Sequence, residues 1–214
     1  LQAHFYLAQL YVQKGQKNKS IPHYKFVIAK ENTEYTEESL TKLSQIYLED
    51  KNYQEAIPLL ERLEQMADQP QNIIFAQSNL MKAYYSLVNY KKTIEYAEKV
   101  LAHSNLDNKV KSDAKIIIAR SAIKTGNEAK AKTAYADLEK IATGSVAAEA
   151  LYYKGYFQNK EGNYEASNTT IQKLAKDYSS YKYYSAKGLV VMAKNFYALG
   201  DAFQATYILD SVIS

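Results

Sequence analysis

The stretch that decides the fold is LVVMAKNFYALGDAFQATYILDSVIS at residues 189–214. Its small and apolar residues recur at the three- and four-residue intervals of an amphipathic helix, with a break at Leu199-Gly200-Asp201. Glycine readily ends a helix because it adopts a left-handed backbone, and an Asp that follows can cap the next helix. The stretch therefore predicts two helices joined by a tight turn.

The same pattern recurs upstream with a nearly constant period. A small residue near the start of each second helix marks six copies, namely Ser20, Ala56, Thr93, Ala131, Ser167 and Ala205. A period of 36 to 38 residues indicates stacked helical repeats, because one hairpin cannot bury its apolar stripe without neighbours. We expect repeats at about residues 1–36, 37–73, 74–111, 112–147, 148–185 and 186–214, which together form a single solenoid.

The composition supports helices and excludes several classes of function. Only 7 Gly and 3 Pro are too few for a β-rich fold, and the absence of Cys excludes disulfides and thiolate chemistry. The net charge of +4 arises from lysines dispersed among glutamates, so no basic stripe marks a nucleic-acid site. The 21 Tyr suit a thin, two-layer protein, because a tyrosine can bury its ring and keep its hydroxyl in water.

The titratable residues form no catalytic or metal-binding pattern. His4, His23 and His103 are scattered, and none has a second ligand at the spacing of a metal site. No glycine-rich phosphate loop occurs, so we predict no catalytic residue, no metal and no cofactor. No segment approaches the ~18 apolar residues that a membrane span needs, and we expect no membrane insertion of these residues.

The repeat pattern resembles tetratricopeptide repeats over all 214 residues. The positions that match best are Gly155, Gly162 and Tyr164 in the fifth repeat and Phe196, Gly200 and Ala205 in the sixth. The period exceeds the family's usual ~34 residues, and most repeats lack the closing proline. The resemblance implies an all-α, right-handed superhelical solenoid of about six helix-turn-helix repeats, with about twelve helices.

Motifs such as Gly162-Asn163-Tyr164-Glu165-Ala166 also resemble envelope-associated repeat proteins of Bacteroidetes-type bacteria. This likeness favours a periplasmic or envelope location with any signal peptide removed, and the cytoplasm is the alternative. The last helix is apolar with no polar helix behind it, whereas solenoids normally end in a polar repeat. We therefore expect a fragment of a longer chain, or an end covered by a second molecule through end-to-end self-association of the C-terminal helix.

The resemblance also implies a binding surface, because the first helix of each tetratricopeptide repeat lines the concave face. The candidate partner-binding residues on that face are Phe75, Lys82, Tyr85, Arg120, Tyr152, Tyr156, Lys194 and Tyr197. Tyr and Arg commonly carry most of the binding energy at interfaces. The face lacks the recurring Asn and Lys set by which some members clamp a terminal carboxylate, so an extended peptide or a partner surface is expected.

The sequence therefore predicts a non-catalytic scaffold for protein-protein interaction, which binds a protein or extended peptide and no nucleic acid. Packing between neighbouring repeats is the competing explanation for each tyrosine. It is favoured for Tyr178, Tyr181, Tyr183 and Tyr184, in the connection between the last two repeats. The alternative function is an accessory repeat domain of a larger enzyme or envelope assembly factor whose activity lies outside this fragment. Replacing Tyr156 and Arg120 together by Ala is expected to weaken partner binding without changing helicity.

Overall fold

The computed structural model describes residues 1–30 and 32–213, and these residues form twelve α-helices and no β-strand. Glu31, inside the first predicted repeat, and Ser214, at the end of the sixth, lie outside the described residues. Consecutive helices pair into six helix-turn-helix hairpins, so the predicted all-α fold is confirmed. The chain divides into two compact units, Leu1–Leu106 and Asp107–Ser214, and each is described by itself.

The N-terminal unit holds three hairpins. Its helices are α1 (Gln2–Gln13), α2 (Lys17–Ile28), α3 (Thr36–Glu49), α4 (Tyr53–Met66), α5 (Pro70–Ser86) and α6 (Tyr90–Leu101). Leucines at helical spacing on α3, α4 and α5 form its core, among them the fully buried Leu40, Leu43, Leu60 and Leu80. Each helix after α1 packs against the helix before it, so the apolar stripe of one hairpin is covered by the next.

The C-terminal unit repeats this arrangement. Its helices are α7 (Asn108–Lys124), α8 (Glu128–Leu138), α9 (Gly144–Lys160), α10 (Tyr164–Asp177), α11 (Lys182–Ala198) and α12 (Ala202–Ile213). The central helix α9 packs against α8, α10 and α11. Leu151, Ile171, Leu174 and Val191 form the core between these helices. This packing places the first helices α9 and α11 side by side.

Four helices begin earlier than the predicted repeats. The first residues of α5, α7, α9 and α11 are 70, 108, 144 and 182, each four residues before the expected repeat start. The added turns of α5, α7 and α9 contain mostly small or polar residues, which give little periodic signal. In α11 the added turn contains Tyr183 and Tyr184, which the sequence pattern assigns to a connection.

The six hairpin turns share one backbone feature. One residue in each turn has a positive φ, between 56° and 86°, and these residues are Gly15, Lys51, Val88, Gly126, Gly162 and Gly200. After Gly200, the Asp201 carboxylate accepts a hydrogen bond from the Gln204 amide at 3.0 Å, which is the predicted cap of α12. The small marker residue that follows each turn is buried in every repeat. The small residue after each turn is therefore the position at which the two helices of a hairpin can approach closely.

Val88 occupies a turn position that suits glycine. Its φ of 62° places a β-branched side chain in the left-handed region, which costs about 1 to 2 kcal/mol. Because 64% of its surface is exposed, Val88 makes little compensating contact. We expect Val88→Gly to raise the free energy of unfolding of the N-terminal unit by about 1 kcal/mol, measured by urea denaturation. The matched change Gly126→Val should lower the free energy of unfolding of the C-terminal unit. A loss of stability in Val88→Gly would show that the backbone of Val88 is not strained.

Candidate functional site

The eight predicted binding residues fall into two groups, because they belong to different units. Phe75, Lys82 and Tyr85 lie on α5 of the N-terminal unit, at a spacing that places them on one helical face. Phe75 and Tyr85 are half-buried and Lys82 is exposed. The Tyr85 ring lies 5.9 Å from the ring of Tyr90 in an edge-to-face arrangement.

The other five predicted residues lie on the first helices of the C-terminal unit. Arg120 is on α7, Tyr152 and Tyr156 are on α9, and Lys194 and Tyr197 are on α11. Tyr152 is buried, Arg120 and Tyr156 are half-buried, and Lys194 and Tyr197 are exposed. The rings of Tyr152 and Tyr156 lie 6.2 Å apart.

A buried carboxylate joins the three first helices of this unit. The Glu149 side chain on α9 is only 3% exposed and accepts two hydrogen bonds from Arg120, from Nε at 3.0 Å and from Nη2 at 2.6 Å. The hydroxyls of Tyr135 on α8 and Tyr184 on α11 donate to the same carboxylate at 2.8 and 2.6 Å. Four polar side chains from successive hairpins are therefore satisfied by one another.

This network keeps Glu149 ionised. Burial alone raises the pKa of Glu149, but the hydrogen bonds from Arg120, Tyr184 and Tyr135 and the charge of Arg120 together lower it by more, so that the pKa lies below its usual value. Burial, followed by the hydrogen bond and charge of Glu149, raises the pKa of the Tyr184 hydroxyl. The Tyr184 hydroxyl therefore stays protonated and donates a hydrogen bond to Glu149.

Aromatic rings surround a lysine beside this network. Lys187 on α11 places its Nζ 4.5 Å from the ring centre of Tyr152 and 5.2 Å from that of Tyr183. Partial burial lowers the pKa of Lys187, but contacts with Tyr152, Tyr153 and Tyr183 raise it by more. The lysine is thus held in its charged form over ring faces that attract a cation.

We give the name first-helix surface to a set of tyrosines and cations on the first helices of this unit. It consists of Arg120, Tyr152, Tyr156, Lys187, Lys194 and Tyr197. Glu149 links α7 to α9 through Arg120, and the contact of Lys187 with Tyr152 links α9 to α11. On α11, Lys187, Lys194 and Tyr197 share one face because they are separated by seven and three residues.

The C-terminal unit also has two grooves. A groove of about 300 Å³ between α8 and α9 has Tyr135 and Phe157 in its lining, with the Lys154–Glu139 ion pair (2.6 Å) at its edge. A groove of about 480 Å³ on α11 and α12 has Lys194, Tyr197 and Leu209 in its lining. The exposed side chains of α12 include Phe203, at 80% exposure. Self-association through α12 stays a prediction.

The structure also shows contacts that the sequence analysis missed. His4 and His23, which are far apart in sequence, bring their Nδ1 atoms to 2.9 Å in the first hairpin. Glu149 and Lys187 were not among the predicted site residues, since single charges on helices are common. Tyr178, Tyr181 and Tyr184 pack against the core of the C-terminal unit, as favoured from sequence, whereas Tyr183 is 66% exposed.

The part of the chain that comprises residues 1–30 and 32–213 contains no group of three or more His, Cys, Asp or Glu side chains that could hold a metal ion. None of the helices that it forms combines the length and the apolar character needed to cross a membrane.

The comparisons with known proteins agree with the fold. Residues 149–181 match a family model described as tetratricopeptide repeat. None of the curated proteins compared with the chain matches it. The matched segment begins at Glu149 and contains Tyr152 and Tyr156, so it includes the part of the first-helix surface on α9.

Three solved structures illustrate the likeness. The MamA protein is 16% identical, with 85% of this chain and 92% of that chain covered and a TM-score of 0.65. A tetratricopeptide repeat protein from Parabacteroides merdae is 15% identical, with 99% and 78% covered and a TM-score of 0.60. YrrB, described as a tetratricopeptide repeat protein with an unusual peptide-binding site, is 12% identical, with 89% and 90% covered and a TM-score of 0.64.

At these identities the solved structures show a shared fold. Together with the family model, they confirm the resemblance to tetratricopeptide repeat proteins that was stated from sequence. The resemblance to proteins of Bacteroidetes-type bacteria is supported only loosely, by the Parabacteroides structure.

Proposed function

We propose that this chain is a non-catalytic scaffold that binds an extended peptide or a protein partner on the first-helix surface of its C-terminal unit. The fold supports a protein-interaction repeat scaffold, and tetratricopeptide repeat proteins typically act without catalysis. The alternative, an accessory repeat domain of a larger enzyme or envelope assembly factor, is not favoured by the comparisons.

The observation that carries the proposal is the grouping of tyrosines and cations on the first helices α7, α9 and α11. Tyr197 is 74% exposed and Tyr156 is half-buried, so both rings keep surface for a partner. Such rings add large contact area at low entropic cost. Phe75, Lys82 and Tyr85 on α5 are proposed as a second binding patch on the N-terminal unit.

Replacing Tyr156 and Arg120 together by Ala is not a clean test of binding, because Arg120 neutralises a buried carboxylate. Removing Arg120 would leave Glu149 without its counter-ion and would destabilise the unit, so lost binding could reflect lost structure. Tyr156→Ala with Tyr197→Ala avoids this effect, since neither residue contacts Glu149 in the described structure. Tyr207→Ala is the matched control, because Tyr207 is a 67% exposed tyrosine on α12.

A phage-displayed library of random peptides should be panned on the whole chain and the selected peptides labelled with fluorescein. We expect the Tyr156→Ala/Tyr197→Ala variant to bind them at least about tenfold more weakly in fluorescence polarisation, a loss of about 1.4 kcal/mol. Tyr207→Ala should bind like the unmodified chain, and circular dichroism should be unchanged in both variants. Equal affinity of all three proteins, or failure to select any peptide, would refute the proposed function.

A further inference from the structure

Helix α11 carries an excess of positive charge on a face that points away from the core. Its 17 residues include Lys182, Lys187 and Lys194 and no acidic residue. Lys187 and Lys194 lie on the same side of the helix as the exposed Tyr197. The neighbouring carboxylate on α9, Glu149, is buried and neutralised by Arg120, so it contributes no exposed negative charge here.

Several other lysines of the C-terminal unit already have acidic partners. Lys154 pairs with Glu139 at 2.6 Å, Lys160 pairs with Glu128 at 2.6 Å, and Lys132 pairs with Glu161. Neither Lys187 nor Lys194 forms an ion pair with a carboxylate anywhere in residues 1–30 and 32–213. These two lysines are therefore charged groups whose acidic counterpart would have to come from a ligand.

The surroundings of Lys187 prepare it for such a ligand. The rings of Tyr152 and Tyr183 lie against its ammonium group and restrict the side chain, so less entropy is lost when an anion binds. Partial desolvation by the same rings strengthens the attraction between the ammonium group and a carboxylate. Lys194, seven residues further along α11, supplies a second charge about 10 Å away along the helix axis.

From this arrangement, and resting on the proposed function, we infer that the partner of the first-helix surface is an acidic extended peptide segment. Its carboxylates pair with Lys187 and Lys194, and its intervening residues lie against Tyr156 and Tyr197. In an extended strand, side chains on the same face recur about every 6.6 Å. Two acidic residues two to four positions apart in the peptide can therefore reach both lysines.

A nucleic acid fits the same surface less well. Its phosphates require a row of cations along the backbone, and the strength of binding depends on how many of them are engaged. Here several lysines of the same unit are already paired with glutamates or aspartates, among them Lys115 with Asp137 and Lys160 with Glu128. Two ammonium groups that lack a carboxylate partner match two carboxylates better than a continuous phosphate chain.

The experiment compares charge variants of the whole chain. Lys187→Gln with Lys194→Gln removes the two proposed contacts. Lys173→Gln with Lys176→Gln on α10 is the matched control, because it removes the same charge from two exposed lysines on the helix that precedes α11. The probe is a fluorescein-labelled peptide of alternating Glu and Ser, amidated at its C-terminus. A Gln–Ser peptide and an oligothymidylate of equal charge serve as comparisons.

We expect the Glu–Ser peptide to bind the unmodified chain at least about tenfold more tightly than the Gln–Ser peptide. The Lys187→Gln/Lys194→Gln variant should lose about tenfold in affinity and show a weaker salt dependence, while the control variant should lose less than about threefold. If the double variant does not fold by circular dichroism, Lys194→Gln alone should still lose about threefold, since Lys194 is exposed.

If the Lys187→Gln/Lys194→Gln variant and the Lys173→Gln/Lys176→Gln control lose equal affinity for the Glu–Ser peptide, the inference is overturned, because the attraction is then nonspecific. Tighter binding of the oligothymidylate than of the Glu–Ser peptide would overturn it in favour of nucleic acid. If library-selected peptides depend on Tyr156 and Tyr197 but are neutral and indifferent to Lys187→Gln/Lys194→Gln, the proposed function stands and the acidic partner is refuted. If no peptide binds at all, the proposed function itself fails.

Discussion

Glu149→Ala is expected to lower the free energy of unfolding of the C-terminal unit by about 3 kcal/mol. The substitution removes the carboxylate that accepts hydrogen bonds from the hydroxyls of Tyr135 and Tyr184. Tyr135 is only 2% exposed, so its hydroxyl would be left without a partner. An unsatisfied buried hydroxyl costs about 1 to 3 kcal/mol. Arg120 adds less, because 40% of its side chain is exposed and water can solvate the guanidinium group.

The measurement is urea denaturation followed by circular dichroism, together with hydrogen exchange of the slowest amides in α9. Glu139→Ala is the matched control, because Glu139 also pairs with a lysine but is 40% exposed. A surface pair contributes about 0 to 1 kcal/mol, so this control should change stability little. Similar losses in the two variants would show that the Glu149 network is not a stabilising centre.

The same network predicts a dependence of stability on pH. Because the pKa of Glu149 in the folded chain lies below its usual value, its ionisation stabilises the fold above about pH 4.3. That contribution is lost as the pH falls through the folded value. Glu149→Gln cannot ionise, so its stability should change less than that of the unmodified chain between about pH 5 and about pH 3. Parallel pH curves would contradict the assignment.

The second large effect is expected from Gly155→Ala, which should cost about 2 kcal/mol. In most helices this change is favourable by about 1 kcal/mol, because glycine is a poor helix former. At this position a new Cβ would lie 2.5 Å from Cδ1 and 2.9 Å from Cγ1 of Ile171. Ile171 cannot easily move, since it is fully buried and Gly188 of α11 also lies close to it, where an added Cβ would stand 3.1 Å from Ile171 Cγ2.

A double-mutant cycle separates this clash from a general loss of helix stability. Ile171→Val removes Cδ1 and should itself cost about 1 kcal/mol. In the valine background, Gly155→Ala should cost less than half of what it costs alone, as measured by urea denaturation of all four proteins. Additive effects would show that the close approach of α9 and α10 at Gly155 does not control the packing.

Much of the fold could be predicted from local sequence. The Leu199-Gly200-Asp201 turn predicted both the left-handed residue and the cap of α12, because these depend on residues within one turn. The hairpin turns at Lys51 and Val88 have the same backbone without a glycine, so only their position in the period marks them. The general rule that Gly ends the first helix is therefore an incomplete guide to these repeats.

The candidate site was less accessible from sequence, because its contacts join distant residues. Arg120 and Glu149 are 29 positions apart, and Glu149 and Tyr184 are 35 apart. In sequence Glu149 is one carboxylate among 23 acidic residues, and only the stacking of successive first helices buries it. Lys187 likewise becomes distinctive only when Tyr152 and Tyr183 pack around it.

Chemical-shift mapping of the C-terminal unit within the whole chain tests the central claim most directly. An isotopically labelled sample would be titrated with a library-selected peptide, and the amide and side-chain shifts would be followed. We predict that the largest changes fall at Tyr156, Lys194 and Tyr197, on the exposed faces of α9 and α11. Changes confined to α10 and α12, with α9 and α11 unaffected, would contradict binding on the first-helix surface.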